Sequence, residues 1–168
     1  MRQRAMIALA LACKQLLLLA DEPTTALDAT EQIKILLLQR ELGLSVIFVT
    51  HDIGAAVEVA DRIAVMYAVR NVEEGSVDPL MREPRHPYTL ALLKSRASGA
   101  LAKGTRLDTI VGSPPDLTAL PAGCAFAERC RWAQDSCRST QPEVTWLRAN
   151  HAVRCLRVTE TPHFTASS

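Results

Sequence analysis

Four consecutive leucines, Leu16 to Leu19, and Ala20 run straight into the carboxylates of Asp21 and Glu22, and a second apolar run, Val46 to Val49, ends at Thr50, His51 and Asp52. Short runs that are apolar at every position suit strands buried on both faces of a parallel sheet. In open α/β sheets, ligands sit in the crevice outside the carboxyl ends of the strands. Asp21, Glu22 and His51 are therefore placed to face one crevice. Carboxylates and an imidazole at strand ends point to a nucleotide.

The segments around these strands alternate. The pattern predicts a helix from about Arg2 to Cys13, a strand Leu16 to Ala20, a helix from about Ala29 to Leu42, a strand Leu44 to Thr50, a helix Ile53 to Ala60 and a strand Arg62 to Tyr67. That is an α/β parallel sheet flanked by helices. Asp28, followed by Glu31 and an apolar run, reads as a helix cap. The first 13 residues also resemble a short secretory signal, with a basic start, an apolar stretch and small residues before Cys13. A buried or amphipathic helix is the preferred reading, because a carboxylate-tipped strand follows directly. Past Val72 the pattern changes: Glu73-Glu74-Gly75 reads as a turn, Asp78 to Met81 and Tyr88 to Lys94 as helices, and Ser98 to Pro121 as a linker. The chain thus divides into an α/β part over 1–71, an extension and linker over 72–121, a small Cys-bearing module over 122–158 and a tail over 159–168.

Composition excludes several classes of partner. Nineteen basic against 18 acidic residues leave a net charge of +1, so no overall field favours nucleic acid or an anionic membrane surface. The apolar run Ala5 to Cys13 and that of Leu16 to Ala20 are separated by Lys14 and Gln15 and fall short of the ~20 residues that cross a bilayer.

Cys124, Cys130, Cys137 and Cys155 follow C-x5-C-x6-C-x17-C, with Cys13 apart from them. In a reducing compartment four clustered thiols are more often metal ligands than disulfides. The spacing lacks the C-x2-C pairs of zinc ribbons, and iron–sulfur clusters are also held by four thiolates. Spacing leaves iron, zinc and four ordinary packed cysteines open. His151, four residues before Cys155, reads as a surface histidine, or else as a substitute or outer ligand.

LLLLADEPTTALD, Leu16 to Asp28, resembles the Walker B strand and D-loop of ATP-binding cassette (ABC) ATPases. VIFVTHD resembles their H-loop strand, and MRQRAMIALAL the helix that follows their LSGG signature. MYAVRNVEEG, RHPYTLALL, GSPPDLTALPAGCAFAERC and HAVRC together resemble the C-terminal region of oligopeptide and dipeptide importer ATPase subunits. The resemblance extends to about Val158 and implies a partial P-loop NTPase fold with a small C-terminal Cys-rich module. It implies ATP and Mg2+ as cofactors, with Asp21 holding the magnesium ion through water, Glu22 as general base, His51 on the terminal phosphate and Asp28 acting across a dimer interface. Gln3 and Arg4 resemble signature-helix residues near the partner's nucleotide. The implied partners are a second ABC ATPase subunit, alike or different, two membrane-spanning permease subunits and a periplasmic or extracellular solute-binding protein. The implied location is peripheral, on the cytoplasmic face of the bacterial inner membrane. Among the alternatives at the cysteines, the resemblance favours a [4Fe-4S] cluster over zinc on Cys124, Cys130, Cys137 and Cys155. Repair and chromosome ATPases share the Walker B and D-loop features but are not expected to carry RHPYTLALL or the cysteines.

The 168 residues contain no GxxxxGK[ST] phosphate loop, no glutamine loop and no LSGG. They match the C-terminal half of such a subunit, so the expectation is a truncated chain that binds ATP poorly and does not turn it over. The family pattern also has a proline before the position of Gln15, a helix after the D-loop about one turn longer, and a glycine at Val69. A positive φ at Val69 would be strained.

Overall fold

The computed structural model describes residues 16–21, 43–99 and 110–159. The chain divides into two compact units, Met1–Ala60 and Asp61–Ser168. The expected helices over 2–13 and 29–42 lie outside the described residues.

In the first unit, β1 (Leu17–Asp21) and β2 (Ser45–Val49) pair in parallel, in register from Leu17 opposite Ser45 to Asp21 opposite Val49. Both strands fall within a residue of their expected places. Their side chains alternate, so Leu17, Leu19, Ile47 and Val49 share one open face and are each about half exposed or more. The chain then turns into α1 (Ile53–Val59). Asp52 caps this helix, its Oδ1 accepting the Gly54 N–H at 2.7 Å and the Ala55 N–H at 3.4 Å. A short oxygen-bearing side chain just outside a helix satisfies amides that have no carbonyl within it.

The second unit departs from the expected parallel sheet. Strand β3 (Arg62–Tyr67) forms at its expected residues, but it pairs antiparallel with β4 (Arg70–Ser76) through a two-residue turn. Ala68 and Val69 hold φ of 46° and 64° in that turn. Two-residue hairpin turns with both central residues at positive φ match the strand twist, which is why the chain accepts strain there. Glu73-Glu74-Gly75 is accordingly strand and not turn. Gly75 serves a close approach: a Cβ at this position would lie 3.2 Å from the Asn150 carbonyl oxygen and 3.5 Å from the His151 ring. On its far side β4 pairs with β6 (His151–Val153), and β6 with β5 (Thr145–Arg148), giving an antiparallel sheet in the order β3-β4-β6-β5. The cysteine-bearing segment therefore shares a sheet with residues 70–76.

Two helices follow β4. They are α2 (Val77–Arg82) and α3 (Pro87–Gly99), the second running five residues beyond its expected end. The start of α3 has a local cause in His86-Pro87-Tyr88. Proline suits the first helical position, where its missing N–H is not needed. His86 precedes it as the cap, its carbonyl accepting the Leu90 N–H at 3.1 Å and its Nδ1 accepting the Tyr88 N–H at 3.0 Å. A 3-10 turn (Ala127–Arg129) and the short helix α4 (Asp135–Ser139) complete the unit. Residues 110–121 carry no regular secondary structure. Among the described residues no helix is long and apolar enough to cross a membrane.

The core joins Val65, Tyr67, Val72, Leu80 and Phe126, with Met81, Tyr88, Leu92, Cys124 and Cys130 packed against them. Tyr67, Tyr88 and Phe126 form an aromatic triangle with centroids 4.6, 5.2 and 5.4 Å apart. Such tilted and edge-on contacts add to the burial of large rings. The Arg129 guanidinium braces this group, donating to Tyr67 Oη at 3.2 Å and to the carbonyls of Ile110 and Val111 at 2.9 and 3.1 Å.

Candidate functional site

Two sets of chemistry-bearing residues emerge, one in each unit. In the first, Asp21 is the last residue of β1 and stands opposite Val49, two residues before His51. Because the strands are parallel, both groups leave the sheet at its carboxyl edge, and both are exposed. This is the edge at which α/β sheets bind ligands. Glu22, Asp28, Gln3 and Arg4 lie outside the described residues, so the described part of the predicted site is Asp21 and His51.

In the second unit, Cys124, Cys130, Cys137 and Cys155 line one pocket, together with His86, Phe126 and Arg157. All four are free thiols. The fold brings them together by specific devices. Gly123 packs against the end of α4 so closely that a Cβ would lie 2.4 Å from the backbone of Cys137 and Arg138, and the Cys124 N–H bonds the Cys137 carbonyl at 2.8 Å. The turn of the 3-10 helix carries the chain from Cys124 to Cys130, with the Ala127 N–H on the Cys124 carbonyl at 2.9 Å and the Cys130 N–H on the Ala127 carbonyl at 3.2 Å. Cys155 arrives just past β6.

Burial pushes the Cys124 thiol up, against the backbone N–H groups of Phe126 and Ala127, which favour its thiolate. Cys130 is likewise raised by burial, opposed by the Trp132 N–H and the Arg157 guanidinium. Burial and the other three sulfurs push Cys155 up to about 12, with the Arg157 N–H opposing. These thiols are therefore protonated at neutral pH. N–H groups already aimed at the sulfurs would stabilise thiolates once a cation neutralised them. Among the described residues no group of three or more His, Cys, Asp or Glu side chains is placed to hold a metal ion. Four thiols lining one pocket are a donor set common to zinc and iron–sulfur sites.

Next to the pocket lies a buried carboxylate that the sequence reading passed over as part of a turn. Glu73 is 1% exposed, and its Oε1 and Oε2 accept the N–H groups of Arg85 and His86 at 2.7 and 2.9 Å. His151 Nε2 lies 2.8 Å from Oε1. His151 is thus a buried partner of Glu73 at 4% exposure and not a surface histidine. A buried carboxylate is tolerated when donors surround it, and this one ties β4 to β6 and to the cap of α3. The His86 ring beside it is held near pH 4 in its proton affinity by burial, against the attraction of Glu73, and is neutral at pH 7. His86, Glu73, Gly123, Arg129 and Arg157 were missed as site residues. The one signal for them in sequence was His86 directly before Pro87, a helix start with an unusual cap.

Residues 72–137 match the family model of the oligopeptide/dipeptide transporter, C-terminal region. The chain is 48% identical over 166 residues to a Brucella ovis protein named as a peptide import ATP-binding protein, covering 94% of the chain and 49% of that relative. It is 47% identical over 161 residues to the oligopeptide transport ATP-binding protein AppD of Bacillus subtilis, covering 92% and 48%. The dipeptide transport ATP-binding protein DppD of Haemophilus influenzae is 45% identical over 159 residues, with 92% and 48% covered. The chain spans about half the length of the curated relatives it matches. The resemblance to peptide-importer ATP-binding subunits is thereby shown along nearly the whole chain.

Proposed function

We propose that this chain supplies the Walker B, D-loop and H-loop part, and the C-terminal region, of an ATP-binding subunit that couples ATP hydrolysis to peptide import. The observation that carries this reading is the placement of Asp21 and His51 on one edge of a parallel strand pair, in a chain about 47% identical to proteins named for peptide import and ATP binding. In this reading Asp21 holds magnesium through water, since a hard divalent cation bridging phosphates takes oxygen ligands. Glu22 orients and polarises the attacking water as general base, and His51 stabilises charge developing on the transferred phosphoryl group. Asp28 and Gln3 serve the nucleotide across an ATPase dimer. The partners are a second ATPase subunit, two permease subunits and a solute-binding protein, with this chain peripheral at the inner membrane.

Within the 168 residues there is no phosphate loop, and this favours a second reading for the chain taken alone, as a fragment without ATPase activity. The two readings separate in one experiment. The purified chain is expected to show no ATP turnover, whereas the same chain fused behind the amino-terminal half of the Bacillus subtilis relative is expected to hydrolyse ATP. Glu22→Gln in the fusion should lower its turnover at least a hundredfold, in the range expected for loss of a general base. A fusion that folds and binds ATP but is equally active with Glu22→Gln would refute the catalytic assignment.

The thiol pocket we assign to a [4Fe-4S] cluster, with zinc as the alternative. Four thiols lining one pocket, with backbone N–H groups on the sulfurs of Cys124, Cys130 and Cys155, support this reading. When bound, such a group supplies one-electron redox capacity and a four-point crosslink. The chain's own part is to hold four sulfurs in place and shield them. A brown chromophore bleached by oxidation, with iron and acid-labile sulfide, is the expected result; zinc alone overturns it.

A further inference from the structure

Strand β2 ends at Val49 and α1 begins at Ile53, so the chain turns from strand to helix through Thr50, His51 and Asp52. His51 is the middle residue of that turn, and the side chains on either side of it both bind backbone. Thr50 Oγ1 accepts the Asp52 N–H at 3.0 Å, reaching across His51. A hydroxyl that accepts the amide two residues on closes a small ring, and the backbone of the residue between them is held within it. Asp52 then caps α1. Its Oδ1 accepts the Gly54 N–H at 2.7 Å and the Ala55 N–H at 3.4 Å, and its carbonyl accepts the Ala56 N–H at 3.1 Å. Its own backbone is extended, at φ −91° and ψ 99°, as suits a residue just outside a helix. His51 is exposed, so burial contributes little to fixing it.

We propose that Thr50 and Asp52 are positioning residues for His51: the Thr50 hydroxyl and the Asp52 carboxylate fix the backbone that carries it at the carboxyl edge of the β1–β2 pair. This rests on the reading of His51 as the group that stabilises charge on the transferred phosphoryl, and neither neighbour touches nucleotide in it. The two bonds act in series. Thr50 ties the strand end to residue 52, and Asp52 ties residue 52 to the helix, so cutting either leaves His51 held from one side only. Placement at a reacting centre matters steeply, a shift of about 1 Å costing as much as a hundredfold in rate. A single exposed hydrogen bond contributes little to folding, so its loss falls on turnover. Serine at 50 and asparagine at 52 keep the oxygen that each bond needs, whereas valine and alanine do not.

The test has two readouts. In the nucleotide-free 168-residue chain labelled with 15N, exchange of the Asp52 amide is followed by nuclear magnetic resonance. Thr50→Val keeps the shape of the side chain and removes the hydroxyl, so it should speed this exchange about twofold to tenfold, the range one such bond gives. Thr50→Ser should restore the parent rate. Equal exchange in Thr50→Val and the parent overturns the proposal. The second readout is ATP turnover by the fusion behind the amino-terminal half of the Bacillus subtilis relative. Thr50→Val and Asp52→Ala are each expected to lower kcat roughly tenfold or more with KM for ATP nearly unchanged, and Thr50→Ser and Asp52→Asn to recover most of it. In a His51→Ala background neither substitution should lower kcat further, because each works through the imidazole. Losses that multiply with that of His51→Ala overturn the proposal and leave the reading of His51 standing. A fusion that is fully active with His51→Ala, or inactive without any substitution, overturns the reading of His51 and the proposal with it.

Discussion

Val69 occupies a backbone position at φ 64° where a β-branched side chain is strained. A left-handed residue costs an L-amino acid about 1–2 kcal/mol, and glycine returns roughly 0.5–1 of this in lost chain entropy. Val69→Gly should therefore stabilise the chain by about 0.5–1 kcal/mol, read as a higher thermal midpoint, and Val69 is 69% exposed, so no packing is forfeited. The opposite holds at Glu73. Its oxygens accept two backbone N–H groups and face His151, and Glu73→Gln turns an NH2 toward at least one of those donors. Breaking a buried paired carboxylate costs ~3–5 kcal/mol, so urea denaturation should show a loss near that size. His86 gives a pH signature in the metal-free chain. Its ring affinity is lowered from 6.5 to about 4 in the folded state, so the unfolded chain binds the extra proton first. The stability is fully present above about pH 6.5 and is lost as pH falls toward 4. At ~1.4 kcal/mol per tenfold change in proton affinity, the loss amounts to about 3 kcal/mol. Equal unfolding midpoints at pH 7 and pH 4.5 would show that the ring is not buried neutral.

At the scale of elements, what was legible followed local pattern. Leu16 to Ala20, Leu44 to Thr50 and Arg62 to Tyr67 each read as strands because apolar runs of that length are hard to place otherwise, and the first two pair in parallel with Asp21 opposite Val49. The partner of β3 was not legible. Glu73-Glu74-Gly75 has the composition of a turn, yet its carboxylate is buried against His151 and its glycine admits the His151 ring, contacts made with a residue 78 and 76 positions away in sequence. The strained turn at Ala68 and Val69 has no glycine, asparagine or aspartate to mark it. The thiol pattern was visible in full, but what brings Cys124 to Cys137 is Gly123, whose significance appears only when α4 lies against it. Adding one methyl there forces the two segments apart. Gly123→Ala should cost about 1–3 kcal/mol as overpacking does, and it should speed reaction of the pocket thiols with a thiol reagent. Unchanged thiol reactivity in the substituted chain would show that the approach of Cys124 to Cys137 does not shape the pocket.

For the whole molecule, the first unit carries a feature that governs its behaviour as an isolated protein. Leu19 and Ile47 are cross-strand partners on the open face of β1 and β2, 69% and 51% exposed, with Leu17 and Val49 beside them at 49% and 52%. Four large apolar side chains on a flat two-stranded surface make a contiguous patch of the kind that soluble proteins cover with another surface. Among the described residues β1 and β2 pair only with each other, and open strand edges add to the drive for association. The expected result for the purified chain is concentration-dependent self-association in sedimentation velocity at micromolar protein. Leu19→Lys with Ile47→Glu places opposite charges on one cross-strand pair, which keeps the pairing while removing the apolar surface that stacks on a second copy. The double variant should sediment as a smaller species at the same concentration, with the antiparallel sheet of the second unit retained and the thiol count unchanged. Identical sedimentation of parent and variant would place the contact elsewhere and remove this face as the cause.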